Sequence, residues 1–516
     1  MPKTVIAICL SVFCVIVIAP LLLLLFNAIT SVPLSSFLLE ARQLNLLKNS
    51  LVIGIGTALF ALILGIPYAF FLTRTSILFK QGFLLAGLIP LFLPAQITTI
   101  GWLKLMGTQG LDLGFKLYGL GGIVFILGLS YFPFVVLLTL TGLNSMDPKL
   151  EQAGELTCSR AKVFTRITLP LLLPYIFSGA IFVFIFSIAN YGVPDLLRVN
   201  TYPVEIFVQF SAFYNTQKAV ILAIPLILIT LGLILLQRHL MAERSYVTLR
   251  CQKGIPHYID SAKIKWLGIV FCSFVFILSV VVPMLMLIIG AGPIATYAAA
   301  FKTAQQQIFN SLFFAVIAAT FICIICFPLA YVIQRASKRF SLFVDIVSML
   351  PFAIPSAIFG IALIKFWNHP QTNFIYQTFL IVVFGYTVRF SAFAIRTMSA
   401  SISQIHRNLE ESAGLVPISW FKRFWKILFP LSGTGILASW VLCFSLAMGE
   451  LGTTLLVIPA GEATMPIRIY TLMHYGAHKL VCGLCVLLVM IILLPGIILF
   501  IMHNWRQRRK KAKVLC

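Results

Sequence analysis

Twelve predominantly apolar runs of about twenty residues or more follow one another along the chain, at about 5–28, 50–73, 82–106, 119–142, 170–193, 219–237, 265–290, 309–333, 343–366, 376–398, 430–457 and 480–503. A hydrocarbon layer of about 30 Å is crossed by roughly 20 helical residues. Inside it no water is present to satisfy backbone N–H and C=O groups, so runs this long are read as helices. A soluble core could not hide the alternative: 60% of the 516 residues are hydrophobic and 10% are charged. The expected fold class is therefore an all-α polytopic membrane protein. The first run extends from Val5 to Phe26 behind Lys3. It is long for a signal-peptide core and lacks an A-x-A site, so it is expected to remain as a helix.

The formal net charge of +24 would suggest nucleic acid in a soluble protein. Here the basic residues occupy short loops between apolar runs, where they orient helices, and no nucleic-acid partner is expected. With the N-terminus placed in the cytoplasm, the cytoplasmic loops and the tail (Arg506, Arg508, Arg509, Lys510, Lys511, Lys513) hold well over twice the Lys and Arg of the opposite side. That bias places both termini inside. Eleven cysteines, mostly within apolar runs, offer no disulfide framework or zinc site.

The chain repeats itself. Asn49-Ser50-Leu51 recurs as Asn310-Ser311-Leu312, Pro67 and Arg74 as Pro328 and Arg335, and Pro90 and Pro94 as Pro351 and Pro355, each 261 residues on. The offset crosses six runs, an even number, so the two halves run the same way through the membrane. Expected divisions are an N-terminal helix and outer loop (1–44), a first repeat (45–238), a linker (239–264), a seventh helix and outer loop (265–304), a second repeat (305–503) and a basic tail (504–516). The paired prolines of each third run remove helical N–H groups and should kink it, as a packing device or beside a pathway.

The loop after the fourth run of each half is the most informative repeat. It reads E-Q-A-G-E-L-T from Glu151 and E-S-A-G-L-V-P from Glu411, and ends in I-T-L-P at Pro170 and I-L-F-P at Pro430, 19 residues on in both cases. An acidic residue opens each short helix, where the dipole favours it. Ala153-Gly154 and Ala413-Gly414 let another surface approach. The prolines are expected to start the next span, at a position needing no N–H.

These loops resemble the E-A-A-x-x-x-G…I-x-L-P loop of ABC importer permeases, with departures at Gln152, Ser412, Thr157 and Pro417. The resemblance implies a type I ABC importer permease fold, about twelve helices in two parallel six-helix repeats. It also implies that Glu151, Ala153, Gly154 and Pro170, with Glu411, Ala413, Gly414 and Pro430, couple to two copies of a cytoplasmic ATPase. No G-x-x-x-x-G-K-[ST] phosphate loop, catalytic triad or nucleophile elbow occurs, so the chain is expected to be a transport subunit and not an enzyme. ATP and Mg would sit on the partner, with no cofactor or metal on this chain. A secondary transporter of two parallel six-helix halves is the competing reading, opposed by the paired loops.

Twenty residues beyond the loop prolines stand Asn190 and Glu450, in N-Y-G and E-L-G. A carboxylate within a span points to a pathway, unless it bonds neighbouring backbone. Glu450, Asn190 and Asp195 are the expected pathway residues. Arg389 is the other charge inside a run, read mainly as structural. His474 and His478 stand four apart, a spacing one helical turn could align, but two imidazoles make a poor metal site. The strings A-N-Y-G-V-P-D-L-L (from Ala189), E-L-G-T-T-L-L-V (from Glu450) and M-P-I-R-I-Y-T-L-M-H-Y-G-A (from Met465) are similar to the ferric-iron branch of fused ABC permeases. That similarity implies iron(III) delivered by an extracytoplasmic binding protein to a bacterial inner-membrane permease. Related branches carry thiamine, phosphonates, polyamines or sulfate.

Overall fold

In the computed structural model, the structure describes residues 3–31, 40–107, 117–242, 261–414 and 419–515, and its elements are helices. The linker is described only at its two ends, and Pro417 lies outside the described residues. Among the described residues ten helices are long and apolar enough to cross a bilayer: α1 (Thr4–Asn27), α2 (Ala41–Arg74), α3 (Leu120–Ser145), α4 (Phe164–Ile188), α5 (Thr216–Leu240), α6 (Ala262–Ala291), α7 (Gln305–Arg335), α8 (Leu380–Ser403), α9 (Phe421–Met448) and α10 (His478–Leu499).

The expected third span of each half is broken. Lys80–Phe92 and Ala95–Met106 meet at 95°, and Lys338–Phe352 and Ser356–Trp367 at 104°. The second proline of each pair accounts for the break, because a proline pushes the preceding residue out of the helical region. Leu93 lies at φ −84°, ψ 120° and Ile354 at φ −115°, ψ 129°, while Pro94 and Pro355 become the N-caps of the following helices.

Both bent pairs still carry the chain across. Arg74, the last residue of α2, reaches the Glu151 carboxylate just beyond the end of α3. Arg335, the last residue of α7, reaches the carbonyl of Ile405 just beyond α8. Consecutive long helices that end at the same face are parallel, so the segment between them must return through the membrane. Ten unbroken spans and two broken ones make twelve crossings.

Two compact units share these helices: residues 34–213 with 221–290, and residues 1–33 and 214–220 with 291–516. The first helix of each half packs away from its own repeat. α1 lies against α7, α8 and the Ser356–Trp367 helix, and α6 lies against α2 and the first bent pair. Gly101 shows how closely α6 approaches: a Cβ there would stand 2.6 Å from the Pro283 carbonyl oxygen. Gly101→Leu should therefore cost about 1–3 kcal/mol, read as a lower thermal midpoint of the purified protein. Gly232→Leu, with nothing within 4 Å of a Cβ, should leave that midpoint unchanged.

Among the described residues four helices contain a five-residue π turn: Cys14–Ile18, Phe164–Thr168, Ile277–Val281 and Phe424–Leu428. Each ends two residues before a proline (Pro20, Pro170, Pro283, Pro430). Proline offers no N–H to the carbonyl four residues back, and its ring crowds that carbonyl. The wider turn relieves the conflict by bonding the preceding N–H one residue further back, as in Leu169 N–H to the Phe164 carbonyl. Pro170 and Pro430 thus do not start their spans. Helical backbone begins ten residues earlier, at Arg160 and Trp420.

Candidate functional site

The first loop folds as the helix Pro148–Glu155, capped by the Asp147 side chain accepting from Lys149 N–H at 3.0 Å. Glu151 faces inward. Its Oε2 lies 3.0 Å from Arg74 Nη2, its Oε1 accepts from Thr168 Oγ1 at 2.8 Å, and the Arg and Glu side chains are only 7% and 8% exposed. One carboxylate thus ties the loop helix to the end of α2 and to the last residue of the π turn in α4. Ala153 is exposed, whereas Gly154 is turned inward. A Cβ on Gly154 would stand 2.7 Å from Ile167 Cδ1 and 3.1 Å from Val163 Cγ2. The surface that the small residue admits is the chain's own π-turn helix.

The second loop helix, Arg407–Gly414, repeats the tie with a different residue. Arg335 Nη2 lies 2.8 Å from Oε1 of Glu410, and Tyr331 donates to Oε2 of the same carboxylate at 2.8 Å. Arg335 also donates to the Ile405 carbonyl at 2.7 Å. Glu411, picked out by the 19-residue spacing, is exposed one position further on. The structural counterpart of Glu151 is therefore Glu410, at an offset of 259 residues from Glu151. Spacing alone missed it. The repeated Arg74/Arg335 pair was the signal that could have found it, since two arginines at the ends of apolar helices need two anionic partners. The side-chain surroundings of Ala413 and Gly414 lie outside the described residues.

At the opposite end of α4 and α9, Asn190 and Glu450 follow the last helical residue and stand over short helices, Gly192–Leu196 and Thr454–Val457. They do the same local work. Asn190 Oδ1 accepts from Val193 N–H at 3.0 Å, and Glu450 Oε1 accepts from Thr453 N–H at 2.8 Å. Asn190 also donates to the Tyr131 hydroxyl at 3.0 Å. Glu450 Oε2 further accepts from Thr454 N–H at 3.0 Å and from the Thr454 hydroxyl, and the residue is 7% exposed. Asp195 is half-buried within the short helix that Asn190 caps.

The repeated Asn-Ser pair acts at this same end. Asn49 Nδ2 donates to the Asn200 carbonyl at 3.2 Å and Ser50 Oγ accepts from Tyr202 N–H at 3.0 Å. Asn310 reaches the Ala463 carbonyl at 3.3 Å, and Ser311 accepts from Met465 N–H at 2.7 Å. Each pair anchors the entry to a ten-residue helix, Tyr202–Ser211 or Met465–His474. Equivalent positions there differ in charge: Glu205, paired with Arg42 at 2.9 Å, stands where the second repeat has Arg468. Arg389 is half-buried in α8.

His474 and His478 do not share a helical turn. His474 ends one helix, His478 begins the next, and Gly476 at φ +78° separates them. Cys323 and Cys326, and Cys482 and Cys485, stand at C-x-x-C spacing, but all four are buried and none is in a disulfide. Among the described residues no three His, Cys, Asp or Glu side chains gather as a metal ion requires.

Up to twelve crossings among the described residues, with a short helix in each repeat held by a buried arginine, are the frame of a polytopic membrane protein. The binding-protein-dependent transport system inner membrane component family matches residues 327–512. An Fe(3+)-transport system permease protein of Haemophilus influenzae is 24% identical over 476 residues, 91% of each chain. A ferric transport system permease protein of Actinobacillus pleuropneumoniae is 24% identical over 502 residues, 90% of this chain and 72% of that one. Relatives whose names point to 2-aminoethylphosphonate and to sulfate transport match 32% and 35% of the chain. These similarities are those of an inner-membrane permease of a binding-protein-dependent ABC transporter, with the family's domain in residues 327–512 of this multi-pass chain. It is not itself catalytic: ATP is bound and hydrolysed by the partner ATPase.

Proposed function

We propose that this permease carries ferric iron, delivered by an extracytoplasmic binding protein, and that two ATPase copies seat on its two loop helices, with both chain termini in the cytoplasm. The observation that carries the two-seat reading is the duplicated tie, Arg74–Glu151 and Arg335–Glu410. Each repeat holds one short helix at the same end of its bundle, and each therefore offers one seat. Coupling passes from Pro148–Glu155 through Gly154 and Thr168 into the π turn below Pro170, and from Arg407–Gly414, with Ala413 and Gly414, towards Pro430. The exposed faces of these helices, carrying Ala153 and Glu411, meet the ATPase, while Glu151 and Glu410 hold the helices in place. The iron reading rests on the two relatives that match nine-tenths of the chain.

At the distal end, Asn190 and Glu450 cap the turns that shape the mouth of the pathway, and Asp195 supplies an acidic group beside it. The full chain reconstituted with its ATPase and binding protein should accumulate radioactive iron(III) in proteoliposomes in an ATP-dependent manner. Accumulation of sulfate or a phosphonate instead would remove the iron assignment while leaving the permease intact. Gly154→Trp should press the first loop helix off Val163 and Ile167 and reduce binding-protein-stimulated ATP hydrolysis by tenfold or more, with insertion preserved. Undiminished stimulation would show that the close packing at Gly154 is not part of coupling.

A further inference from the structure

The start of α9 carries a feature that its repeat mate lacks. Phe421, Trp425, Phe429 and Leu437 lie on one helical face and are 66%, 49%, 37% and 44% exposed. The rings form a ladder, with centroids 6.1 Å apart for Phe421 and Trp425 and 4.8 Å for Trp425 and Phe429. Lys422 and Lys426 stand exposed beside it on the same two turns, and Arg423 Nε is buried without a hydrogen-bond partner. No acidic residue occurs between Glu411 and Glu450. The first repeat keeps the cations, as Lys162 and Arg166, but has Ala161, Thr165 and Leu169 in place of the rings.

We propose that this face of the second repeat is a binding site for an anionic phospholipid. Lys422 and Lys426 hold the headgroup phosphate, while Trp425 and Phe429 pack on the glycerol and the first acyl carbons. Aromatic rings favour the membrane–water boundary, and lysines there extend their charge into the headgroups along an apolar stem. The length of the stripe argues for lipid. From Phe421 to Leu437 the helix climbs about 24 Å, from the cations into the hydrocarbon, whereas a soluble partner could touch only its first turns. The charge argues for an anionic headgroup, because two uncompensated lysines attract a phosphate that lacks its own cation.

The test uses the full-length permease with its ATPase in detergent, titrated with dioleoyl phosphatidylglycerol or dioleoyl phosphatidylcholine, with bound lipid read by native mass spectrometry. Wild type should retain phosphatidylglycerol in preference to phosphatidylcholine. Lys422→Gln with Lys426→Gln should weaken that retention by at least about tenfold, since each cation near an anionic surface contributes roughly a factor of five. Trp425→Leu should weaken it too, while Lys162→Gln with Arg166→Gln should not. The charge changes lie at exposed positions and Trp425 is half-exposed, so a monodisperse complex is expected throughout. Equal retention of the two lipids by wild type would overturn the proposal. So would unchanged phosphatidylglycerol retention in the double lysine variant combined with loss of the ATPase, which would mark the face as a protein-docking surface.

Discussion

Arg74→Met is expected to cost about 3–5 kcal/mol and to disable coupling, because it strands the Glu151 carboxylate in a site that is 8% exposed. The surviving Thr168 hydroxyl donates one bond to that carboxylate and cannot replace a cation. Removing both charges should behave differently. Arg74→Met with Glu151→Leu leaves an apolar contact of similar volume, and buried ion pairs replaced in this way are often neutral or better. The double variant should therefore recover most of the lost thermal midpoint. Its ATP hydrolysis should stay poorly coupled, since the loop helix has lost the bond that fixes its direction. The matching change in the second repeat should be milder, because Glu410 keeps the Tyr331 hydroxyl and the Arg335–Glu410 side chains are 13% and 15% exposed. Thermal unfolding in detergent and stimulated ATPase rates, measured on all four proteins, check the pattern. Additive losses in the double variant would mean that the pair is not acting as a unit.

Glu450→Gln should reduce the amount of folded protein in the membrane rather than the iron carried per assembled molecule. Both carboxylate oxygens accept backbone N–H bonds, from Thr453 and Thr454. A glutamine can present only one oxygen, so its NH2 must face a donor. The unsatisfied N–H and the lost charge-assisted bonds together cost about 3 kcal/mol in a buried site. Asn190→Ala removes a single backbone cap and should cost about 1 kcal/mol. Membrane abundance by quantitative immunoblot, beside iron(III) uptake normalised to it, separates the roles. Full abundance with uptake lost would place the Glu450 charge in the path of the cation.

The sequence carried the fold class and the number of crossings because apolar length is a one-dimensional signal that bilayer thickness sets directly. It also carried the repeat, since Asn49-Ser50 and Asn310-Ser311 recur where each anchors the entry to a distal helix. Three things were not legible. The broken spans follow from the conformation that Pro94 and Pro355 impose on Leu93 and Ile354, which turns a kink into a bend of 95° or 104°. The π turns need the carbonyl bookkeeping around a mid-helix proline, and a proline before a span reads equally well as a helix start. The partner of Arg335 was misplaced by one residue because the loop between Glu410 and Pro430 is one residue longer than its mate, a difference that only the Arg–Glu contact reveals.

The exchange of first helices sets an order on biogenesis. α1 leaves the ribosome well before α7 and α8, against which it packs and which begin at Gln305 and Leu380. At roughly 5–20 residues per second, α1 waits in lipid for tens of seconds before its partners are made. It must be content there alone, and it is: from Thr4 to Asn27 it carries no charged residue. α6 has the opposite schedule, arriving when α2, α3 and the first bent pair are already in place to receive it. A chain cut in the linker would thus yield a leading piece that keeps an orphan helix and lacks its own seventh, and a trailing piece missing its first. The two pieces should mature only when made together.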